Sequence, residues 1–225
     1  MKQFVEELET LKAKVLEMGA LVEEGIFHAV RAVVDRDAAQ ANQVIENEHR
    51  VNRLQVEIDD LSVEMLALHA PVAVDLRFVA ASIRINTDLE RMGDLAVGIA
   101  ESSLSLDRMA RVNLPVDIPG IAALVQPMVR KSLNAFVTRD AQLAEEVLRS
   151  DDAVDKQRTS TYDRLVEFME KNPSCIRQTL DVWAVVRRLE RIADHATNIS
   201  EDVVFLTKGL DVRHHAEMEH RSGQE

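Results

Sequence analysis

Leu89-Glu90-Arg91-Met92-Gly93-Asp94 returns 100 residues later as Leu189-Glu190-Arg191-Ile192-Ala193-Asp194. Across the 13 positions from Leu89 to Glu101, seven are identical in the copy that ends at Glu201. In both copies a Glu and an Asp stand four apart among apolar neighbours. A solvated helix face has little physical reason to repeat that pattern in register. A duplicated helical unit carrying matched sites does.

The rest of the chain repeats around this phrase. Arg36-Asp37-Ala38 matches Arg139-Asp140-Ala141 at an offset of 103 residues. Val44-Ile45 matches Val147-Leu148, Val51 matches Val154, and Asp60 matches Asp163. The change from 103 to 100 puts a three-residue deletion between the second and third helices of the repeat. The period is too long for a solenoid unit.

Apolar stripes supply the helices. Phe4, Leu8, Leu11, Val15, Met18 and Val22 step by four and three, which predicts a first helix reaching about Val34. Asp37 reads as the N-cap of a second helix, with a stripe through Val51, Leu54, Ile58, Leu61, Met65 and Leu68. Pro71 breaks it, and a third helix follows to about Met109. Asn113, Pro115, Pro119 and Gly120 make residues 111–120 the turn-rich boundary. The second half then gives a helix from about Ile121 to Thr138, another capped by Asp140 and ending near Asn172-Pro173, and a last one to Lys208 with Gly209 as its stop. The expected fold is all-α: two pseudo-symmetric three-helix bundles, residues 1–112 and 113–225, the second with a short polar tail.

Composition agrees. The 225 residues are 46% apolar and 29% charged, with 7 Gly, 5 Pro and 4% aromatics, as long packed helices require. A net charge of −12 excludes a general nucleic-acid binder and disfavours attraction to an anionic lipid face. The single Cys175 permits no intrachain disulfide. Residues 1–8 lack the pattern of a secretory leader, and the uncharged run 118–129 is too short to span a bilayer. The expected compartment is the cytoplasm.

Residues four apart on a helix lie on one face, about 6 Å apart along the axis. Glu90 with Asp94, and Glu190 with Asp194, are therefore paired carboxylates. Trp183, Val186, Glu190, Ala193, Thr197 and Val204 share one stripe, so Glu190 belongs in or beside an apolar seam. The preceding helix of each half offers a second pair: Glu48 and Asn52 in the first, Asp151 and Asp155 in the second. In an antiparallel hairpin, residues equidistant from the turn lie level. Asn52 and Glu90 are equidistant from Pro71, as are Glu48 and Asp94. Asp155 with Glu190, and Asp151 with Asp194, are each centred on Asn172-Pro173. Each constellation should close across its own hairpin. Carboxylate clusters without Cys or His suit hard cations such as magnesium, manganese, calcium or iron, with zinc as a further candidate. Asn198, one turn beyond Asp194, is a further oxygen ligand to consider. The first site has one carboxylate fewer, so weaker cation binding is expected there. The competing reading is ion pairing of the same acids with Arg91, Arg158, Arg187 and Arg191.

The ordered set of Met18-Gly19, Val51-Asn52, Asp75-Leu76-Arg77, the two Leu-Glu-Arg-x-x-Asp phrases, Asn198-Ile199-Ser200-Glu201, Lys208-Gly209 and Asp211-Val212-Arg213-His214 resembles the PhoU family of phosphate-signalling proteins over nearly the whole chain. The resemblance implies a six-helix, two-bundle protein. It also implies metal-cluster binding at repeated Glu/Asp-x-x-x-Asp motifs, matched here by Glu90/Asp94, Asp151/Asp155 and Glu190/Asp194. Glu48-x-x-x-Asn52 departs from that motif. Implied further are a cytoplasmic location, a homodimer, and a regulatory task. That task links the phosphate-specific ABC transporter to a sensor histidine kinase and represses starvation genes when phosphate is plentiful.

Two other helical functions match fewer of the residues. Glu46-x-x-His49 is half of a di-iron oxidase motif, but Arg149 and Asp152 stand where its copy should be. His28, His49 and His69 are candidates for a phosphotransfer module, and none is repeated in the second half. His214, His215 and His220 lie in a polar tail that could take up transition metal adventitiously. No Gly-rich phosphate loop, nucleophile elbow or Cys/His zinc spacing is present, so catalysis is not expected.

Overall fold

The computed structural model describes residues 2–209. Among them are six α-helices: α1 Lys2–Asp35, α2 Ala38–His69, α3 Ala73–Asp107, α4 Ile118–Thr138, α5 Ala141–Lys171 and α6 Ile176–Lys208. A short 3-10 turn, Pro173–Cys175, leads into α6.

The duplication extends to backbone conformation. Arg36 and Arg139 both adopt left-handed φ of 54°. The Asp that follows each is extended and caps the next helix: Asp37 accepts from the amides of Ala39 and Gln40, Asp140 from those of Gln142 and Leu143. The preceding helix closes alike in both places, with Asp37 N–H on the Ala32 carbonyl at 3.0 Å and Asp140 N–H on that of Ala135 at 2.9 Å. One helix end differs from the sequence expectation. The fourth helix starts at Ile118 and not near Ile121, because Asp117 caps it and Pro119 occupies its first turn. A proline there loses no hydrogen bond, since the first amides of a helix have no partner within it. At the other end, Gly209 terminates α6 at φ 69° as expected.

The helices α1, α2 and α3 pack against one another, as do α4, α5 and α6. Across the halves α3 lies along α6, the most extensive helix contact in the molecule, and α1 touches α4. The α3–α6 pair is antiparallel. Arg84 meets Asp202 at 2.9 Å, Asp88 meets His195 at 2.7 Å, Arg188 donates to Ser102 at 3.0 Å and Ser105 to Asp181 at 2.7 Å. A glycine stands at each contact between the halves, Gly98 where α3 meets α6 and Gly19 where α1 meets α4. A Cβ on Gly98 would lie 2.4 Å from Arg188 Nε, and one on Gly19 would lie 2.7 Å from a Leu133 methyl. The buried apolar side chains of all six helices form one continuous core. Phe136 is fully buried and stacks on Phe78 from the other half, with ring centroids 5.1 Å apart.

A shared core makes the two bundles one folding unit. In urea, helix circular dichroism and the fluorescence of Trp183 should trace the same transition; separate midpoints would show independently stable halves. Phe136→Ala should cost about 3–5 kcal/mol while leaving the transition single.

Candidate carboxylate sites

Both acid phrases sit on the central helices α3 and α6, with Leu89 and Leu189 fully buried beneath them. Glu190 is held in the seam between α6 and α5 with only 8% of its surface exposed. Burial, then the charge of Asp194, raises its carboxyl pKa, while Arg187 and Arg158 oppose the rise and Asp155 adds to it. Asp151 of α5 is raised to about 6 by burial and by Asp194, Asp155, Asp152 and Glu190. Asp194 is raised by burial and by Asp155, against the lowering influence of His195, Arg187 and Arg191. The fold therefore gathers the four acids expected of the second site, across the hairpin that turns at Asn172-Pro173. Asp152, outside the four-apart pattern of the sequence, is a fifth charge close enough to perturb Asp151.

In the first half Glu90 is raised by burial and by Asp94, and Glu48 adds to the rise across the α2–α3 hairpin. Three of the four expected residues thus share one electrostatic site. Asn52 is exposed on α2.

Arginines line both clusters. Arg91 lies 3.5 Å from both Glu90 and Asp94. Arg158 Nε lies 3.4 Å from Asp155 and 3.2 Å from Glu190, and Arg187 is 3.1 Å from the same Glu190 oxygen, Oε1. The other oxygen, Glu190 Oε2, is buried and accepts no hydrogen bond; Glu90 Oε2 is in the same position. As the side chains stand, no three His, Cys, Asp or Glu among the described residues are arranged to hold a metal ion. The donor set is nevertheless all oxygen and mostly anionic; Glu190 Oε2 is left without a partner and Glu90 Oε2 has only the long contact with Arg91, which is the chemistry a hard cation satisfies.

Asn198 does not join the second cluster. Its amide donates to Asp88 at 3.2 Å, toward α3 and away from α5. Asp88 also binds His195, whose charge is felt by both Glu90 and Asp194. The sequence reading missed this group, although it marks a break in the duplication: Arg188 replaces Asp88, and Leu95 stands opposite His195.

The three phosphotransfer candidates each have a local contact. His69 lies 2.7 Å from Glu7 and tilts onto Phe4, His28 meets Gln40 at 3.2 Å, and His49 faces the Glu46 carbonyl of its own helix. His214, His215 and His220, and the residues 211–214 of the family-like ending, lie outside the described residues. Cys175 is half-buried and free. No helix among the described residues is long and apolar enough to cross a membrane.

The model of the PhoU domain matches the chain twice, at residues 15–103 and 118–203. The phosphate-specific transport system accessory protein PhoU homolog of Pseudomonas aeruginosa is 38% identical over 214 residues, covering 95% of this chain and 88% of that protein. The PhoU accessory protein of Serratia marcescens is 34% identical over 94% of this chain and 87% of its own length. The crystal structure of Pseudomonas aeruginosa PhoU superposes with a TM-score of 0.89 at 36% identity, over 92% of this chain and all of that one. That of PhoU from Streptococcus pneumoniae gives 0.85 at 29% identity, over 93% and 99%. Two matched domains, full-length relatives and the same six-helix fold agree: the chain belongs to the PhoU family.

Proposed function

We propose that this chain is a non-catalytic cytoplasmic regulator of phosphate uptake, an adaptor between the phosphate-specific ABC transporter and the sensor histidine kinase of the phosphate response. It keeps starvation genes repressed while phosphate is plentiful, and it works as a homodimer. The observation that carries this reading is the match to transport-system accessory proteins along almost the entire chain. Deleting the gene in its own host should raise expression of a phosphate-starvation reporter in phosphate-rich medium, and the wild-type copy should restore repression. An unchanged reporter would overturn the reading.

The carboxylate clusters are the proposed cation sites of this adaptor. Asp151, Asp155, Glu190 and Asp194 would hold a cation between α5 and α6; Glu48, Asn52, Glu90 and Asp94 would hold one between α2 and α3. The cation would supply the positive charge that Arg158, Arg187 and Arg91 supply in the structure. Native-state binding stabilises by about 2.7 kcal/mol at a hundredfold excess over Kd. A partner that senses the acid-bearing face would then meet two electrostatically different surfaces.

Titration of tag-free protein with manganese should resolve two affinities. Glu190→Ala should abolish the tighter and Glu90→Ala the weaker; equal affinities would contradict the asymmetry between Asp155 and Asn52. Elemental analysis of the same preparation identifies the native metal.

The raised acid at Asp151 gives a pH test in metal-free protein. A carboxyl raised by folding holds its proton in the native state while the unfolded chain has already lost it. Its contribution to stability is therefore complete below pH 3.8 and declines as pH rises to about 6. Asp151→Asn should gain stability relative to wild type across that interval and hold a constant advantage above it. A difference independent of pH would mean that neither burial nor the neighbouring acids raise the Asp151 carboxyl.

A further inference from the structure

Helices α1 and α4 are the same element of the duplicated unit, and they touch where the two halves join. Gly19 faces Leu133, and the charge of Arg130 reaches Glu23, so the two helices pass antiparallel. At the offset of 103 residues Glu23 corresponds to Gln126, Ile26 to Val129 and Phe27 to Arg130. All six line one cavity of about 240 Å³. Exchanging the halves maps this wall onto itself, so the cavity lies on the pseudo-two-fold axis.

Packing across such an axis asks only for apolar residues, as at Ile26 and Val129. The positions around them carry unlike chemistry: an acid matched by an amide, an aromatic ring matched by a guanidinium. Among the described residues, the side chains of Glu23, Gln126 and Arg130 make no hydrogen bond or ion pair. Burial raises the Glu23 carboxyl, and Arg130 opposes the rise without closing on it. Phe27 is 47% exposed, with the His28 ring edge-on to it at 5.4 Å.

The main chain of α4 adds an acceptor. Pro127 lies inside this helix and has no N–H to give the Ala123 carbonyl one turn earlier. Ala123 and Pro127 both line the cavity, so the released acceptor is at its wall. In α1 the residue matching Pro127 is Glu24, and no carbonyl is released there. The antiparallel crossing sorts these groups along the groove. Glu23 and Arg130 stand at one end; Phe27, Gln126 and the Ala123 carbonyl stand at the other. Ala123 and Arg130 are seven residues apart, about 10 Å along the axis, which is the reach of a nucleoside monophosphate from base to phosphate.

We propose that the α1–α4 cavity binds an adenine nucleotide, with the base on Phe27, its amino group and ring nitrogen on the Gln126 amide and the Ala123 carbonyl, the ribose hydroxyls on Glu23 and the phosphate on Arg130. A side-chain amide matches the donor and acceptor that adenine presents side by side. An aromatic ring stacks on the face of any base, and a guanidinium forks onto phosphate. A carboxylate accepts from hydroxyls and repels a second anion, which orients the ligand. Guanine carries an oxygen where adenine carries the amino group, and that oxygen would meet the Ala123 carbonyl acceptor to acceptor. The site goes beyond the adaptor reading and stands without it.

The test is calorimetric titration of the complete chain with AMP, in chelator so that no cation occupies the carboxylate clusters. AMP should bind saturably at one site, and GMP at least about tenfold more weakly. Arg130→Gln should weaken AMP about tenfold and leave adenosine unchanged. Phe27→Ala should weaken both at least about fivefold. Pro127→Ala gives the Ala123 carbonyl its helical partner, so it should keep the fold at least as stable while reducing the preference for AMP over GMP. Val63→Ser, at a position 61% exposed on α2, should bind as wild type does. No saturable binding of AMP at millimolar concentration overturns the proposal. Equal binding of AMP, GMP and inorganic phosphate overturns it as well, since Arg130 would then be a simple anion contact. Unchanged AMP affinity in both Arg130→Gln and Phe27→Ala would place the nucleotide elsewhere and overturn it too.

Discussion

Carboxylates held in the seam between two helices set the terms for this molecule. Removing an ion from water costs several kcal/mol unless opposite charge and hydrogen bonds replace the lost hydration. Glu190 is 8% exposed and keeps one oxygen unpartnered, so that cost is only partly offset. The guanidinium groups of Arg158 and Arg187 share the other oxygen. Burial, and then the charges of the neighbouring acids, make Asp151, Glu190 and Asp194 harder to ionise. An arrangement under such electrostatic tension responds strongly to added positive charge.

The architecture preserves that tension in duplicate. Long α3 and α6 run antiparallel through the centre, level with each other at Gly93 and Ala193, so the two acid phrases lie alongside. Close packing at Gly98, and the contact of Gly19 with Leu133, fuse the halves into one core. Outer helix α2 packs on α1 and α3, and α5 on α4, α6 and the short turn that precedes α6. The acids that complete each cluster are carried on these outer helices. Charge at either cluster therefore acts on a hairpin arm anchored to the shared centre, and His195 is placed where its charge reaches both.

Local physics made most of this legible in the sequence. Apolar stripes located the helices, Asp37 and Asp140 announced their caps, and the distance from Asn172-Pro173 brought Asp151 to Asp194 and Asp155 to Glu190, whereas in the first half Glu48 acts on Glu90 and Asn52 stays exposed. Each of those inferences needs only helix periodicity and one turn. What escaped depends on contacts between distant segments. Nothing local places Asp88 against His195 and Asn198, over 100 residues away, or turns the Asn198 amide from the acids. Gly98 reads as a weak helix position until Arg188 is found lying across it. Pro119 reads as a breaker unless the cap at Asp117 is seen to make it a helix start. The arginines were legible as neighbours of the acids, but not which nitrogen would point inward and which outward.

The most direct examination of the central idea is anomalous diffraction from crystals of the tag-free protein grown with manganese. The expected result is a peak between α5 and α6 within bonding distance of oxygens from Glu190 and Asp194 on one helix and Asp151 or Asp155 on the other. Arg158 and Arg187 should then be turned away from Glu190. Absence of a peak at that position, with both arginines still on the Glu190 carboxylate at saturating manganese, would mean that ion pairing alone accounts for buried Glu190.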